Sequence, residues 1–224
     1  MKSLTRTSKG EQTRERIFDT AIALFQTKGY ETTTMRDIAA EAGCSLGLAY
    51  RYFDRKEDLV LALYRHLANE LARQVEGLSA ASVANRFEQT MRAKLALVTP
   101  YRDILGALFS AGIDPKSSLS VLGDNTADIR QQVINTYKTV ISQATDAPKE
   151  PLASQLALML YGTHLATLLF WMHDRSPNAQ ATGELIDLTR DGLALIRPML
   201  GLPPISKLLT RLTKVIEPML GSKT

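Results

Sequence analysis

An all-helical chain in two parts, a small three-helix unit followed by a larger bundle, follows from three features of these 224 residues. First, no stretch sustains the period-two alternation of a half-buried strand, whereas nearly every segment repeats its apolar residues at helical spacing. Second, the breakers fall between those segments, at Pro100, Gly112-Ile113-Asp114-Pro115, Ala147-Pro148, Ser176-Pro177-Asn178 and Pro203-Pro204. Third, residues 33–59, TTMRDIAAEAGCSLGLAYRYFDRKEDL, read as two short helices joined by a tight turn at Gly43, with a further helix starting at once. Two helices meeting through such a turn have the geometry that lays one across a DNA backbone and the next in the major groove.

The first helix is expected over Thr13–Lys28, with Ile17, Ala21, Leu24 and Phe25 on one face and Gly29 ending it in the left-handed conformation. Thr33 or Thr34 can cap the second helix, which turns Ile38, Ala39 and Ala42 inward and closes at Gly43. Ser45 caps the third, running to Phe53. A fourth begins at Asp54 or Arg55 and reaches Leu78 on the stripe Leu59, Leu63, Leu67, Leu71 and Val75, with Glu57 and Asp58 where the helix dipole favours them. Helical patterns follow at Ala84–Val98, Tyr101–Ala111, Asn125–Ala144, Pro151–His173 and Gly183–Leu200, and a last one at Ile205–Leu220.

Charge and composition narrow the function. The net charge of +4 is uneven: residues 1–16 and 204–224 each carry +3, so the body between is slightly acidic. That suits a local polyanion contact near the N-terminus rather than a protein coating nucleic acid over its whole surface. The single Cys44 excludes an intrachain disulfide, and no apolar leader precedes the first helix, so a cytoplasmic location is expected. Leu152–Met172 runs about twenty residues without a formal charge, near spanning length. Its Ser154, Gln155, Thr163, His164 and Thr167 favour a helix packed on two faces over a membrane span. The three histidines, with no H-E-x-x-H, G-x-S-x-G or glycine-rich phosphate loop, give an enzyme little to work with. His164 and His173 are half a turn out of phase and cannot share a metal, and no cofactor is expected.

In the third helix Ala49 and Phe53, four apart, share a buried face against Phe25 and Ile38. Ser45, Leu46, Leu48, Arg51 and Tyr52 then point away from the core, a mixture suited to base edges, thymine methyls and phosphates. Tyr50 sits one position off the buried face and is read as a contact residue, whereas Phe53 is core.

Residues 13–59 resemble the N-terminal domain of the TetR family of one-component transcriptional regulators. The likeness rests on FQTKGYETTTMRDIA, the AEAGCS turn and the pattern G-x-x-Y-x-Y-F-x-x-K-x-x-L, here Gly47, Tyr50, Tyr52, Phe53, Lys56 and Leu59. It implies phosphate contacts at Thr34, Tyr50 and Lys56 and close backbone approach at Gly47. Arg36, Ser45, Leu46, Leu48 and Arg51 would lie at or near base edges. Leu46 and Leu48 stand where polar side chains often read bases, so hydrogen-bonded readout falls mainly to Arg36 and Arg51. The basic arm before the first helix is a candidate accessory contact.

The resemblance also implies a helix-turn-helix DNA-binding domain at residues 1–54 and an effector-binding, dimerising helical bundle at 55–224. The expected partners are double-stranded DNA with a palindromic operator, an apolar or amphipathic small-molecule effector, and a second copy bound through the 151–173 and 183–200 helices. A symmetric pair presents two reading helices to a palindrome, which a monomer cannot do. Leu185, Leu188, Leu195 and Met199 offer the matching face. Candidate pocket residues are Phe87, Met91, Phe109, Tyr137, Met159, His164 and Trp171, although methionines and aromatics at this spacing also describe plain core. His164 reads equally as a specificity group or as a histidine satisfied by a carbonyl. The last helix, with Leu208, Leu209, Leu212, Ile216 and Met219 against Lys207, Arg211 and Lys214, is expected to dock on the bundle rather than lie on a membrane. The alternative function is a helical ligand-binding protein or enzyme with a vestigial helix-turn-helix, which would lack salt-sensitive DNA binding.

Overall fold

The structure, a computed structural model, describes residues 9–220; most of the basic N-terminal arm and the last four residues lie outside them. Among the described residues there are helices and no strands. The first, α1 (Lys9–Lys28), starts a turn earlier than expected. Thr13 does not cap it; its hydroxyl donates back to the Lys9 carbonyl (2.9 Å), a bond compatible with helix interior. Gly29 then takes a φ of +87°.

Thr34 caps α2 (Met35–Glu41) through a reciprocal box. The Asp37 amide donates to Thr34 Oγ1 (3.2 Å) and the Thr34 amide to Asp37 Oδ2 (2.9 Å). Gly43 makes the turn at a φ of +62°, where a Cβ would be strained although it would meet nothing. Ser45 accepts from the Leu48 amide (3.2 Å) to cap α3 (Leu46–Tyr52). Ile17, Ala21, Phe25, Ile38, Ala39, Ala49 and Phe53 close over one another as the core of this unit.

The long α4 (Lys56–Glu76) passes from that core into the bundle of α5 (Val83–Val98), α8 (Ala127–Ser142), α9 (Leu152–His173) and α10 (Gln180–Ile196). It packs on α1 at one end and on α5 and α8 along its length, while α8 lies against α9 and α5 against α10. The stripe Leu59, Leu63, Leu67, Leu71 and Val75 is wholly buried. The helix expected over Tyr101–Ala111 is instead two pieces, α6 (Arg102–Ala107) and α7 (Phe109–Ile113), broken at the buried Leu108. Gly106 and Gly112, poor helix formers, flank the break.

A buried arginine ties the far end of the bundle together. Arg86 donates to the carbonyls of Leu78 (3.1 Å), Ser79 (2.9 Å) and Val140 (2.9 Å) and to Gln143 Oε1 (2.8 Å). It thereby satisfies carbonyls at and beyond the C-terminal ends of α4 and α8, which helices leave without partners. α10 begins at Gln180 because Asp174 gathers its approach: Oδ1 accepts from the Ser176 amide (2.8 Å) and hydroxyl (2.6 Å), and Oδ2 from those of Thr182 (2.8 and 2.6 Å). α11 (Pro203–Ile216) packs on α9, with Gln155 Nε2 donating to Thr210 Oγ1 (2.9 Å). Its Ile205, Leu209 and Ile216 face the bundle while Leu208 and Leu212 are exposed; the side chain of Met219 lies outside the described residues. By length and composition α9 is long and apolar enough to cross a membrane. It is covered by α8 and α11, and exposes Leu169 and Phe170 toward its C-terminal end.

Candidate nucleic-acid interface and ligand cavity

Because Ala49 and Phe53 are drawn into the core, α3 turns the opposite side outward. Ser45, Gly47, Tyr50 and Arg51 are exposed, as are Thr34 and Arg36 at the start of α2, and Tyr50 leaves 45% of its surface open. Ser45 uses only its acceptor in the cap, so its hydroxyl hydrogen is free for an anion or a base. Leu46 and Tyr52 differ from expectation. Both are half-buried against the core, because a helix of seven residues packed at Ala49 and Phe53 shelters the flanking positions. Leu48 is intermediate.

Two expected phosphate contacts already have internal partners. The Thr34 hydroxyl donates to Asp37 Oδ2 (2.7 Å), which helps hold the Asp37 carboxyl below its ordinary range. Lys56 Nζ reaches back across the unit to the carbonyls of Tyr30 (2.6 Å), Thr33 (3.1 Å) and Glu31 (3.4 Å) and sits 4.1 Å from the centre of the Tyr30 ring. An ammonium has three hydrogens, and here all are directed at carbonyls of the α1–α2 loop. Sequence reasoning passed over Arg14, whose guanidinium lies over the Phe53 ring (4.8 Å) and shares a cleft with Arg51 and Arg55 beside α3.

The bundle holds a partly open cavity of about 340 Å³ between α4, α5, α6, α7, α8 and α9. Of the seven expected pocket residues, Phe109, His164 and Trp171 line it. Phe87, Met91, Tyr137 and Met159 do not; the first three are fully buried core, and the Phe87 and Tyr137 rings pack 6.0 Å apart. Tyr137 nevertheless acts on the cavity at one remove, its hydroxyl lying 2.8 Å from His164 Nδ1 and 3.2 Å from Met91 Sδ. A ring nitrogen is a far better acceptor than a thioether, so the Tyr137 O–H donates to Nδ1 and the His164 proton resides on Nε2. His164 is thus held by a side chain rather than a carbonyl. Burial, and then the charge of Lys94, keeps its pKa well below the usual value, so the ring is neutral.

Sequence reasoning missed Lys94, Arg130, Tyr64 and Tyr161, which also line the cavity. A signal existed for Lys94, which shares the buried stripe of α5 with Phe87, Met91 and Val98 at helical spacing. Burial pushes the Tyr64 and Tyr161 hydroxyls up to about 12 and brings the Lys94 ammonium down to about 8.

Cavity and reading face are mechanically joined. Tyr64, Leu67 and Ala68 of α4 line the cavity, and Lys56 at the head of the same helix holds the α1–α2 loop. Gln26 of α1 also donates to the Pro100 carbonyl (2.8 Å), just before α6, whose Leu105 lines the cavity.

An outward-facing helix-turn-helix is thus carried on a helix that also walls a largely apolar cavity, and likeness to known proteins gives this arrangement a family. The description "Bacterial regulatory proteins, tetR family" matches residues 17–63, and "Tetracyclin repressor-like, C-terminal domain" matches 86–210, more than half of the sequence. The chain belongs to the TetR family. It is 36% identical over 97 residues, 42% of either chain, to the HTH-type transcriptional regulator HbdR of Aromatoleum sp. (strain CIB). It is 37% identical over 84 residues to the regulator BetI of Brucella canis (strain ATCC 23365), covering 38% of this chain and 41% of that protein. The match thus spans well under half the length of these curated relatives. The fold is shared over most of the chain with solved structures. A TetR transcriptional regulator from Nitrosomonas europaea superposes with a TM-score of 0.61 at 20% identity, covering 81% of this chain and 98% of that one. A tetR-family regulator from Streptomyces coelicolor gives 0.60 at 22%, covering 92% and 97%.

Proposed function

We propose that this protein is a ligand-responsive repressor that binds a palindromic operator as a homodimer and is released by a small molecule held in the bundle cavity. The observation that carries this reading is the α3 face, where Ser45, Gly47, Tyr50 and Arg51 are presented to solvent while Ala49 and Phe53 fix the helix from behind. Arg36 and Arg51 supply bidentate donors for base edges, Ser45 a hydroxyl at or near them, Tyr50 a hydroxyl for a phosphate, and Leu46 and Leu48 apolar edges for thymine methyls. Gly47 allows the backbone to approach the duplex. Thr34 and Lys56 hold α2 and the α1–α2 loop in position beneath that face. Residues 1–54 form the reading unit and 55–224 the sensing and pairing unit, and action on DNA in a bacterial cell places the protein in the cytoplasm.

The apolar residues that the fold leaves uncovered on α9 and α10 support the pairing: Leu169, Phe170, Leu188 (69% exposed), Leu195 (75%) and Ile196. Large apolar side chains left open on two helices that pack on one another suit an association surface. The effector wedges between α4 and the α6–α7 segment, shifts α4 and with it the spacing of the two reading helices, and so favours the state that no longer fits the operator. Gel shifts with genomic fragments selected by the protein test the reading. Tyr50→Ala and Arg51→Ala each lower affinity about 10- to 100-fold, at roughly 1–3 kcal/mol per lost contact, with the helical circular dichroism unchanged. Wild-type affinity in both variants would remove the α3 face from the account.

A further inference from the structure

Lys94 is out of place in its surroundings. Its side chain lines a cavity walled mostly by apolar and aromatic residues, is 7% exposed, and has no hydrogen-bond or ion-pair partner among the described residues. No aspartate or glutamate lines the cavity. The other cation there, Arg130, is anchored: its Nη1 donates to the carbonyls of Val121 and Gly123 (3.1 Å each). A buried ammonium without a counter-charge is costly, and a sequence keeps such a group chiefly where something else completes it.

We propose that the effector is an apolar monocarboxylate whose head group pairs with the Lys94 ammonium while its body fills the cavity; this rests on reading the cavity as the effector site. His164 stands beside the cation, close enough for the charge of Lys94 to act on its ring, and with Nδ1 held by Tyr137 it keeps an Nε2–H donor for the same carboxylate. At about 340 Å³ the cavity lies near the lower end of the ~300–1,000 Å³ typical of small-molecule sites. It has room for a medium-chain acid of about ten carbons. The titratable and charged groups lining it are Tyr64 of α4, Lys94 of α5, Arg130 of α8, and Tyr161 and His164 of α9. With both tyrosines neutral to about pH 12 and His164 neutral throughout, Lys94 is the group that changes charge between pH 7 and 9.5, losing its proton around pH 8.

Trp171, the only tryptophan, lines the cavity and reports occupancy. The full chain is titrated with decanoate and with decanol, following Trp171 emission and operator release together. Decanoate is expected to bind at least tenfold tighter than decanol at pH 7, and Lys94→Met to abolish that preference while decanol still binds. Independently of any variant, wild-type affinity for decanoate is expected to fall about tenfold between pH 7 and 9.5, with decanol unchanged. Equal affinities at pH 7, a preference that survives Lys94→Met, or a pH-independent decanoate affinity each overturn the proposal. If decanol alone binds and releases DNA, the carboxylate falls and the effector cavity stands. If neither probe changes Trp171 emission, the cavity reading fails and the carboxylate with it.

Discussion

Two residues in the reading unit separate contact from support. Gly47 is exposed on α3, and a Cβ built there meets nothing within 4 Å. Gly47→Ala therefore stabilises the fold by about 0.5–1 kcal/mol through helix propensity, yet weakens operator binding by filling the space the duplex backbone enters. Denaturant midpoints and gel shifts read the two effects separately, and unchanged DNA affinity would show that α3 does not approach closely. Lys56 makes the opposite case. Its hydrogen bonds to three loop carbonyls predict that Lys56→Met destabilises the protein by about 1.5–3 kcal/mol. If Lys56 acts only as an internal support, the slope of log affinity against log salt should hold; a slope reduced by about one would assign Lys56 to the phosphates.

At the level of elements, the corner from α9 to α10 depends on one ionised carboxylate. Asp174 accepts four hydrogen bonds from Ser176 and Thr182, which hold it far below the usual carboxylate range. The folded pKa is depressed, so the stabilisation is complete above the unfolded value of about 3.9 and is lost as pH falls below it. Urea midpoints of the wild type should drop between pH 5 and 2.5 more steeply than those of Asp174→Asn, and parallel curves would sink the assignment. Ala179 just before α10 takes a φ of +54°, so this corner has little conformational reserve once Asp174 is protonated. On the neighbouring surface, Glu88 joins α5 to α10 by bonding Arg92 (2.9 Å) and Arg190 (3.0 Å), partners that lower its pKa.

The whole molecule is incomplete as a single copy if α10 is the pairing helix. Leu188 and Leu195 lie two turns apart on its open side. Burying each is worth about 1.5–3 kcal/mol, counted twice in a symmetric pair. The double substitution Leu188→Glu and Leu195→Glu should weaken association more than ~100-fold and abolish tight operator binding. Analytical ultracentrifugation measures the first effect, and a variant that remains dimeric would move the interface elsewhere. The same paired arrangement would carry the signal, because a displacement of α4 in each copy changes the distance between two reading helices rather than the reading helices themselves.

Helical period and breaker residues are local properties, and they placed the helix-turn-helix with Ser45 and Gly43 in their roles as cap and turn, leaving the cap of α2 to Thr33 or Thr34 until the reciprocal box with Asp37 selected Thr34. They failed where a position depends on neighbours remote in sequence. Periodicity assigns Phe87, Met91 and Tyr137 to an inward face, but only packing decides that this inward space is filled core, and that the open volume lies one turn away beside Lys94, His164 and Trp171. Likewise no local signal tells that the fold brings the carbonyls of residues 30, 31 and 33 within reach of Lys56. Sequence alone determined most of the helical segments and that Ala49 and Phe53 form the buried side of α3, because those follow from spacing along one chain, whereas the break at Leu108 and the shelter of Leu46 and Tyr52 came from packing. Tertiary structure decided which buried groups meet a void and which meet each other, because close packing is settled by the shapes of segments far apart in sequence.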